Sequence, residues 1–291
     1  MNIFDRQAVR QHRDRAATAI QDFDFLFMEV ADRLTERLDD VKRSFPLALD
    51  IGCHGGDIAR TLNGRGGIET VLQCDISPEM AKTAGGLAFA ADEEFLPVKD
   101  QCLDLVLSNL SMHWVNDLPG VFVQIRKALK PDGFFMATML GERTLHELRE
   151  SLMVGETEIE GGLSPRVSPY ATVQDIGGLL QRAGFTLPVV DIDTVTVSYL
   201  DIFKLMHDLR GMGETGAVAQ RRKNFSRKDT MMRAAEHYMK TFTGIGDVGK
   251  DRIPATFDII FITAWSPHPD QPTAAKPGSA DKSLIDVFNE T

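Results

Sequence analysis

Apolar residues recur along the chain in two rhythms. Over residues 5–43, Phe23, Phe25, Leu26, Phe27, Val30, Leu34 and Leu38 return near every 3.6 residues among charges, which predicts helix. Pro46 ends that stretch. From there short apolar runs alternate with helical segments. LALDI (47–51), TVLQCD (70–75), GLAFAA (86–91), CLDLVLSN (102–109) and FFMATML (134–140) read as strands. Between them fall helices over 56–63, over 77–84 with Ser77 and Pro78 as cap and first turn, and after Asn116, ending in Lys-Pro-Asp-Gly. Strands separated by helices predict parallel βαβ units in a doubly wound α/β sheet.

After residue 140 the rhythm changes. Residues 142–153 read as a helix and 154–170 as a polar, Gly- and Pro-punctuated loop or cap. A short amphipathic helix ends at Gly184, residues 190–199 alternate like a half-exposed strand, two further helices follow, and 254–267 forms a last strand. The expected divisions are a helical segment over 1–46, a nucleotide-binding core over 47–140, a cap with the strands completing the sheet over 141–266, and a disordered tail over 267–291.

Composition narrows the class. The 291 residues carry a net charge of −10, which argues against a general nucleic-acid binder. Hydrophobic content of 43% supports a substantial core, and no run approaches the ~20 apolar residues of a membrane span. Three cysteines at wide spacing suggest neither disulfides nor zinc. The seven histidines are scattered, and none forms a two-His-plus-carboxylate set, so no metal ligand is assigned.

The chemistry concentrates where LALDIGCHGG leaves the first strand. A strand, a Gly-rich turn and a helix bring backbone against a nucleotide. The dinucleotide pattern G-x-G-x-x-G is absent. Asp50, Gly52, Gly55 and Gly56 instead resemble D-x-G-x-G-x-G, the first motif of class I S-adenosylmethionine (SAM) methyltransferases, with His54 at the middle glycine. Asp50 would orient the loop and the ligand's ammonium. Asp75, ending the second strand, is placed to accept from both ribose hydroxyls. Asp92 would meet the adenine amino group, with Ala91 and Phe95 beside the ring. Cys53, His54, Ile76, Met80, Glu93, Ser108 and Asn109 complete the candidate cofactor set. For His54 two readings stand: a loop residue with its ring away from the ligand, or a change at the methionine end that weakens affinity. Cys53 and Cys74 read as small apolar packers.

His113, Trp114 and Asn109 follow the fourth strand beside the expected methyl donor and form the candidate catalytic set. His113 lines the acceptor pocket or is structural, Trp114 would be a packing lid, Asn109 holds the loop or meets the acceptor, and Asp117 caps the next helix. Arg6, Arg10, Arg13 and Arg15 read as a solvated helix face, with a lid over the cofactor or a docking surface as the alternative. The acidic 155–162 segment, Asp208 and Glu214 could attract a target arginine, Arg166 could serve an acidic partner, and Gly211–Gly213 should break a helix.

Several stretches resemble the family of the mitochondrial NADH:ubiquinone oxidoreductase (complex I) assembly factor 5. They are FDRQ (4–7), ADEEFLP (91–97), SMHWVNDLP (111–119), KPDGFF (130–135), TLHELRESL (144–152), GETEIEGGLSPRVSP (155–169), LLQRAGF (179–185), DLRGMGE (208–214), RKDTM (227–231) and PATFDI (254–259). A more distant resemblance, mainly over 47–140, is to the malonyl-carrier-protein O-methyltransferase of biotin synthesis. The first implies SAM on a Rossmann-like sheet of seven mostly parallel strands. It also implies modification of a protein side chain, arginine hydroxylation or methyl transfer, in a complex I core subunit during assembly. The sequence supplies no visible oxygen-activating site for hydroxylation. The alternatives are a carboxyl O-methyltransferase and a non-catalytic SAM-binding chaperone. The chain is expected to act in the bacterial cytoplasm, peripherally at the inner membrane face, where its relatives occupy the mitochondrial matrix.

Overall fold

A computed structural model describes residues 2–245, 249, 251–272 and 278. In chain order the main elements are α1 (Arg6–Ala16), α2 (Phe25–Glu36), β1 (Leu47–Ile51), α3 (Asp57–Thr61), β2 (Thr70–Asp75), α4 (Pro78–Ala84), β3 (Leu87–Ala90) and β4 (Leu103–Ser108). There follow α5 (Leu118–Ala128), β5 (Leu129–Leu140), α6 (His146–Glu160), α7 (Val173–Ala183), β6 (Thr186–Tyr199), α8 (Ile202–Gly211), α9 (Lys228–Phe242) and β7 (Ile253–Trp265).

The strands form one seven-stranded sheet in the order β3-β2-β1-β4-β5-β7-β6. Neighbours from β3 through β5 pair in parallel, and β7 runs antiparallel to both β5 and β6. Together with the helices on its two faces, this is the Rossmann-like class I methyltransferase architecture expected. One apolar layer gathers Leu26, Phe27, Val30 and Leu34 of α2 with Leu105, Leu107, Phe257 and Phe261 of the sheet. The opposite layer gathers Val121, Phe122 and Ile125 of α5 and Ile176 and Leu180 of α7 against Val106, Phe135 and Ile260. Strand order reverses between β1 and β4, and ligands of open α/β sheets bind at the carboxyl ends of the strands beside such a switch point.

Residues 5–43 are helical as expected, with a 3₁₀ segment over Ala17–Asp22 between α1 and α2 and another over Arg37–Asp40 after α2. The structure redraws one segment. Residues 154–160, read as loop, continue α6 to Glu160, and Gly161 at φ 68° ends it. Gly155 permits the extension: a Cβ there would stand 2.5 Å from the Thr230 carbonyl oxygen of α9. Of the expected tail, Gln271 is tied to Thr186 and Asp132, and 273–277 and 279–291 lie outside the described residues.

Candidate functional site

The loop after β1 turns in left-handed backbone, at φ 71° for Gly52, 46° for His54 and 82° for Gly56. A Cβ on Gly52 would overlap the Ser111 hydroxyl, so glycine is required there by space as well as by angle. His54 tolerates its angle because its ring is gripped. It stacks on Phe27 with centroids 4.3 Å apart, and Nε2 lies 3.3 Å from the Leu110 carbonyl oxygen. Burial, reinforced by the charge of Arg13, lowers its pKa to about 3, so the ring is neutral.

Asp50 is fully buried and neither carboxylate oxygen has a hydrogen-bond partner. Burial first, then the charges of Asp57 and Asp75, push its pKa well above the ordinary carboxylate value. An unpaired buried carboxyl is costly, and such orphans mark a place where a ligand is expected to supply the partner.

Asp75 is not free. Its Oδ1 accepts from the Ser77 N–H at 2.8 Å, and its Oδ2 accepts from the His54 N–H at 3.2 Å and from Arg13 at 3.0 Å. The same guanidinium donates to Glu93 Oε1 at 3.0 Å and to Ser111 Oγ at 2.9 Å. All three charged side chains are 0% exposed. Arg6, two turns earlier on α1, bonds Asp92 at 2.7 Å and Glu93. Burial opposes ionisation of Glu93, but Arg6 and Arg13 override it and hold its pKa low. The Arg6 and Arg13 side chains thus face inward from α1. The solvated-face reading fails for both.

His113 and Trp114 converge on a residue a hundred positions away. Glu214 Oε2 takes His113 Nε2 at 3.1 Å and the Trp114 Nε1–H at 2.8 Å, while Oε1 is buried without a partner. Burial would raise the Glu214 carboxyl, but the His113 hydrogen bond and the His113 and Arg13 charges bring it below its usual range. Trp114 and Glu214 line a cavity of about 470 Å³ together with Leu148, Tyr170 and Met206, with Arg166 and Arg210 on its wall. Arg166 is partly neutralised by Glu156 at 2.7 Å, and its Nη2 is unpaired.

The remaining expectations fall out as follows. Asn109 donates to the Phe27 carbonyl at 2.9 Å and accepts from Thr138 at 2.8 Å, so it holds the loop. Ser108 donates to the Ile51 carbonyl at 2.7 Å, locking β4 to the turn after β1. Cys74 and Met80 are buried in the two apolar layers, Cys53 is buried with its thiol toward the His54 carbonyl, and Ile76 packs beside the Phe4–Trp114 cluster. Asp117 caps α5 by accepting from Gly120. Gly213, at φ 81°, follows the end of α8 and turns the chain toward Glu214. Asp208 is tied to Lys204 at 2.8 Å. The pairing of Glu214 with His113 had no signal in sequence, since no spacing links residues that far apart.

For the SAM expected from the sequence, the donor set fits: a bare Asp50, close backbone at Gly52, and carboxylates ending β2 and following β3. The space beside Gly52 and Asp75 is, however, filled by Ser111 and Arg13.

Comparison with known proteins agrees with this architecture. A family profile described as "Methyltransferase domain" matches residues 49–137. Arginine-hydroxylase NDUFAF5, mitochondrial, of Danio rerio is 45% identical over 294 residues, covering 99% of this chain and 90% of that protein. The malonyl-[acyl-carrier protein] O-methyltransferase of Methylovorus sp. is 33% identical over 280 residues, covering 91% and 90%. Among solved structures, the YcgJ protein of Bacillus subtilis superposes with a TM-score of 0.56 at 15% identity, covering 81% of this chain and 98% of that one, a likeness of fold. With its Rossmann-like sheet, its glycine loop and near-complete coverage at that identity, the chain belongs to the family of the arginine-hydroxylase NDUFAF5 proteins.

Proposed function

We propose that the protein binds SAM at the carboxyl edge of β1, β2 and β4 and modifies an arginine side chain of a protein partner, a core subunit of respiratory complex I during assembly. The observation that carries the arginine reading is Glu214: a buried carboxylate held ionised, one oxygen fixed by His113 and Trp114, the other unpaired, in the wall of a cavity that also carries Arg166 and Arg210. A guanidinium offers the planar pair of donors such an oxygen lacks. His113 and Trp114 are positioning residues in this reading, since both act by aiming Glu214. Tyr170 and the leucines of the wall would exclude water.

Asp50 would hold the cofactor's ammonium, Asp75 its ribose and Asp92 its adenine. When bound, SAM supplies an electrophilic methyl. Transfer to a nitrogen would require that nitrogen to give up its proton. Hydroxylation of an arginine C–H instead consumes dioxygen, two electrons and two protons and releases one water, so it calls on an external two-electron donor. Among the described residues no helix is long and apolar enough to cross a membrane. We place the protein at the cytoplasmic face of the bacterial inner membrane, the counterpart of the matrix side for its mitochondrial relatives.

The test is peptide mass spectrometry of complex I from a deletion strain, restored with wild type or with Glu214→Gln. An arginine peptide that loses one oxygen in the deletion strain supports hydroxylation, and one that loses a methyl supports transfer. Glu214→Gln should lower the modification about 100-fold, as expected for removing a buried charge partner. No changed peptide would refute the protein-modifying reading. A second reading, carboxyl O-methylation of a carrier-bound acyl group, is favoured by the 33% identity to the malonyl-carrier enzymes and by the unpaired Nη2 of Arg166 at the cavity wall. Rescue of a biotin auxotroph lacking that enzyme would support it.

A further inference from the structure

The carboxylates expected to take the two ends of an adenosine are both already met by α1. Arg13 holds Asp75, and Arg6 holds Asp92. Asp75 Oδ2 carries two donors, which fills its lone pairs, and Oδ1 retains only one free. A ribose diol therefore cannot donate twice to Asp75 while Arg13 stays. Ser111, bonded to both Arg13 and Glu93, covers Gly52 on the same side. Asp50, one strand over, stands bare. The site is thus plugged at its nucleoside end and open in hydrogen-bonding terms at its amino-acid end.

The plug is held at both ends. The C-terminal end of α1 enters the main apolar layer through Ala16, and Asp14 accepts from the Ser77 hydroxyl at 2.6 Å. Arg6 donates to the Trp114 carbonyl at 3.2 Å, Asn116 meets the Phe4 backbone, and the N-terminal end is tied to the segment after α8. Phe4 pairs with Val218, the Asp5 N–H donates to the Ala217 carbonyl at 2.8 Å, Asp5 meets Arg221 at 3.2 Å, and His12 meets the Thr215 carbonyl at 3.0 Å. Phe4, Ala8 and Val9 form a small apolar cluster of their own with Trp114, Ala217 and Val218. Taking charges out of water nearly cancels the attraction within a buried ion triad, so rehydration of Arg13 and of the carboxylates as α1 withdraws offsets the pairing that is lost. The strap that fastens α1 also carries Glu214 and borders the acceptor cavity through Thr215 and Gly216.

We infer that α1 is a guanidinium latch: Arg13 and the cofactor's ribose compete for Asp75, and α1 withdraws when the cofactor binds. The inference rests on the SAM reading above. The test uses the full chain and S-adenosylhomocysteine, the product, so that no turnover is needed. Hydrogen exchange of the α1 amides, residues 6–16, should accelerate about tenfold in wild type at saturating ligand, since the latch opens. Calorimetric titration of Arg13→Met should show binding tightened about tenfold, because the competent state no longer has to be populated first.

Slower α1 exchange on ligand addition would overturn the inference, because α1 would then be a wall of the occupied site. Weaker binding by a folded Arg13→Met would overturn it in the same way, leaving the SAM reading intact. Should Arg13→Met not fold, Arg221→Met decides alongside the wild-type exchange. It loosens the strap while leaving the triad paired, and tightening of about threefold is expected. Unchanged affinity there, with unchanged α1 exchange, sinks the latch. No binding by wild type or any variant would overturn both the latch and the SAM reading.

Discussion

His54 shows how packing can hold a single residue in backbone space that favours glycine. It holds a left-handed angle that glycine would adopt freely, and its stacking on Phe27 compensates. Replacing it with glycine should relieve about 1 kcal/mol of backbone strain yet leave a ring-sized void, for a net loss of about 1–2 kcal/mol in urea unfolding. The same change should tighten S-adenosylhomocysteine binding by opening the loop; weaker binding would show the ring to be part of the cradle. Asp50 makes the opposite exchange. Its folded-state pKa is raised above the ordinary 3.8, so the stability this group contributes is present below that value and lost as pH rises. Asp50→Asn should therefore be increasingly more stable than wild type from pH 4 to pH 8 while losing the cofactor. A stability difference that does not change with pH would refute this account of Asp50. Asp50, Gly52 and Asp75 were legible because a strand, a turn and a carboxylate at strand ends follow from local pattern. Arg13 was not, since a basic helix face reads the same whether it meets water or three buried acceptors.

At the scale of elements, the alternation of apolar runs gave the strands and most of the helices, and the errors fall where a helix depends on its neighbour. The stretch from Val154 to Glu160 has glycine and charge but a weak apolar stripe, and it is helical because α9 lies against it. Gly155 is the point of closest approach. Gly155→Ala should then destabilise by about 2 kcal/mol, even though alanine is better in an isolated helix by about 1 kcal/mol. Thermal unfolding measures it, and a rise in Tm would mean that α6 and α9 do not pack through this position.

Across the whole molecule, the sheet order could be inferred from sequence as a class, whereas the strap over α1 could not, because it joins residues 3–5 to 217–221 with no periodicity to announce it. That long-range closure links ligand binding to global stability. Ligand at about 100 times its Kd stabilises a folded protein by about 2.7 kcal/mol, or roughly 5–10 °C in Tm for a chain of this size. Here the gain must be read against what binding undoes. The affinity measured in wild type already contains the cost of opening α1, so at a fixed concentration the shift should be smaller in wild type than in Arg221→Met, whose strap is weakened in advance. The unliganded variant, by contrast, should melt slightly below wild type, having lost a half-buried ion pair. Convergence of the two melting curves as S-adenosylhomocysteine is added, variant below wild type at first and level with it at saturation, is the signature of a latch that stabilises the empty protein at the ligand's expense. Parallel curves at every concentration would mean that strap and cofactor site are energetically independent.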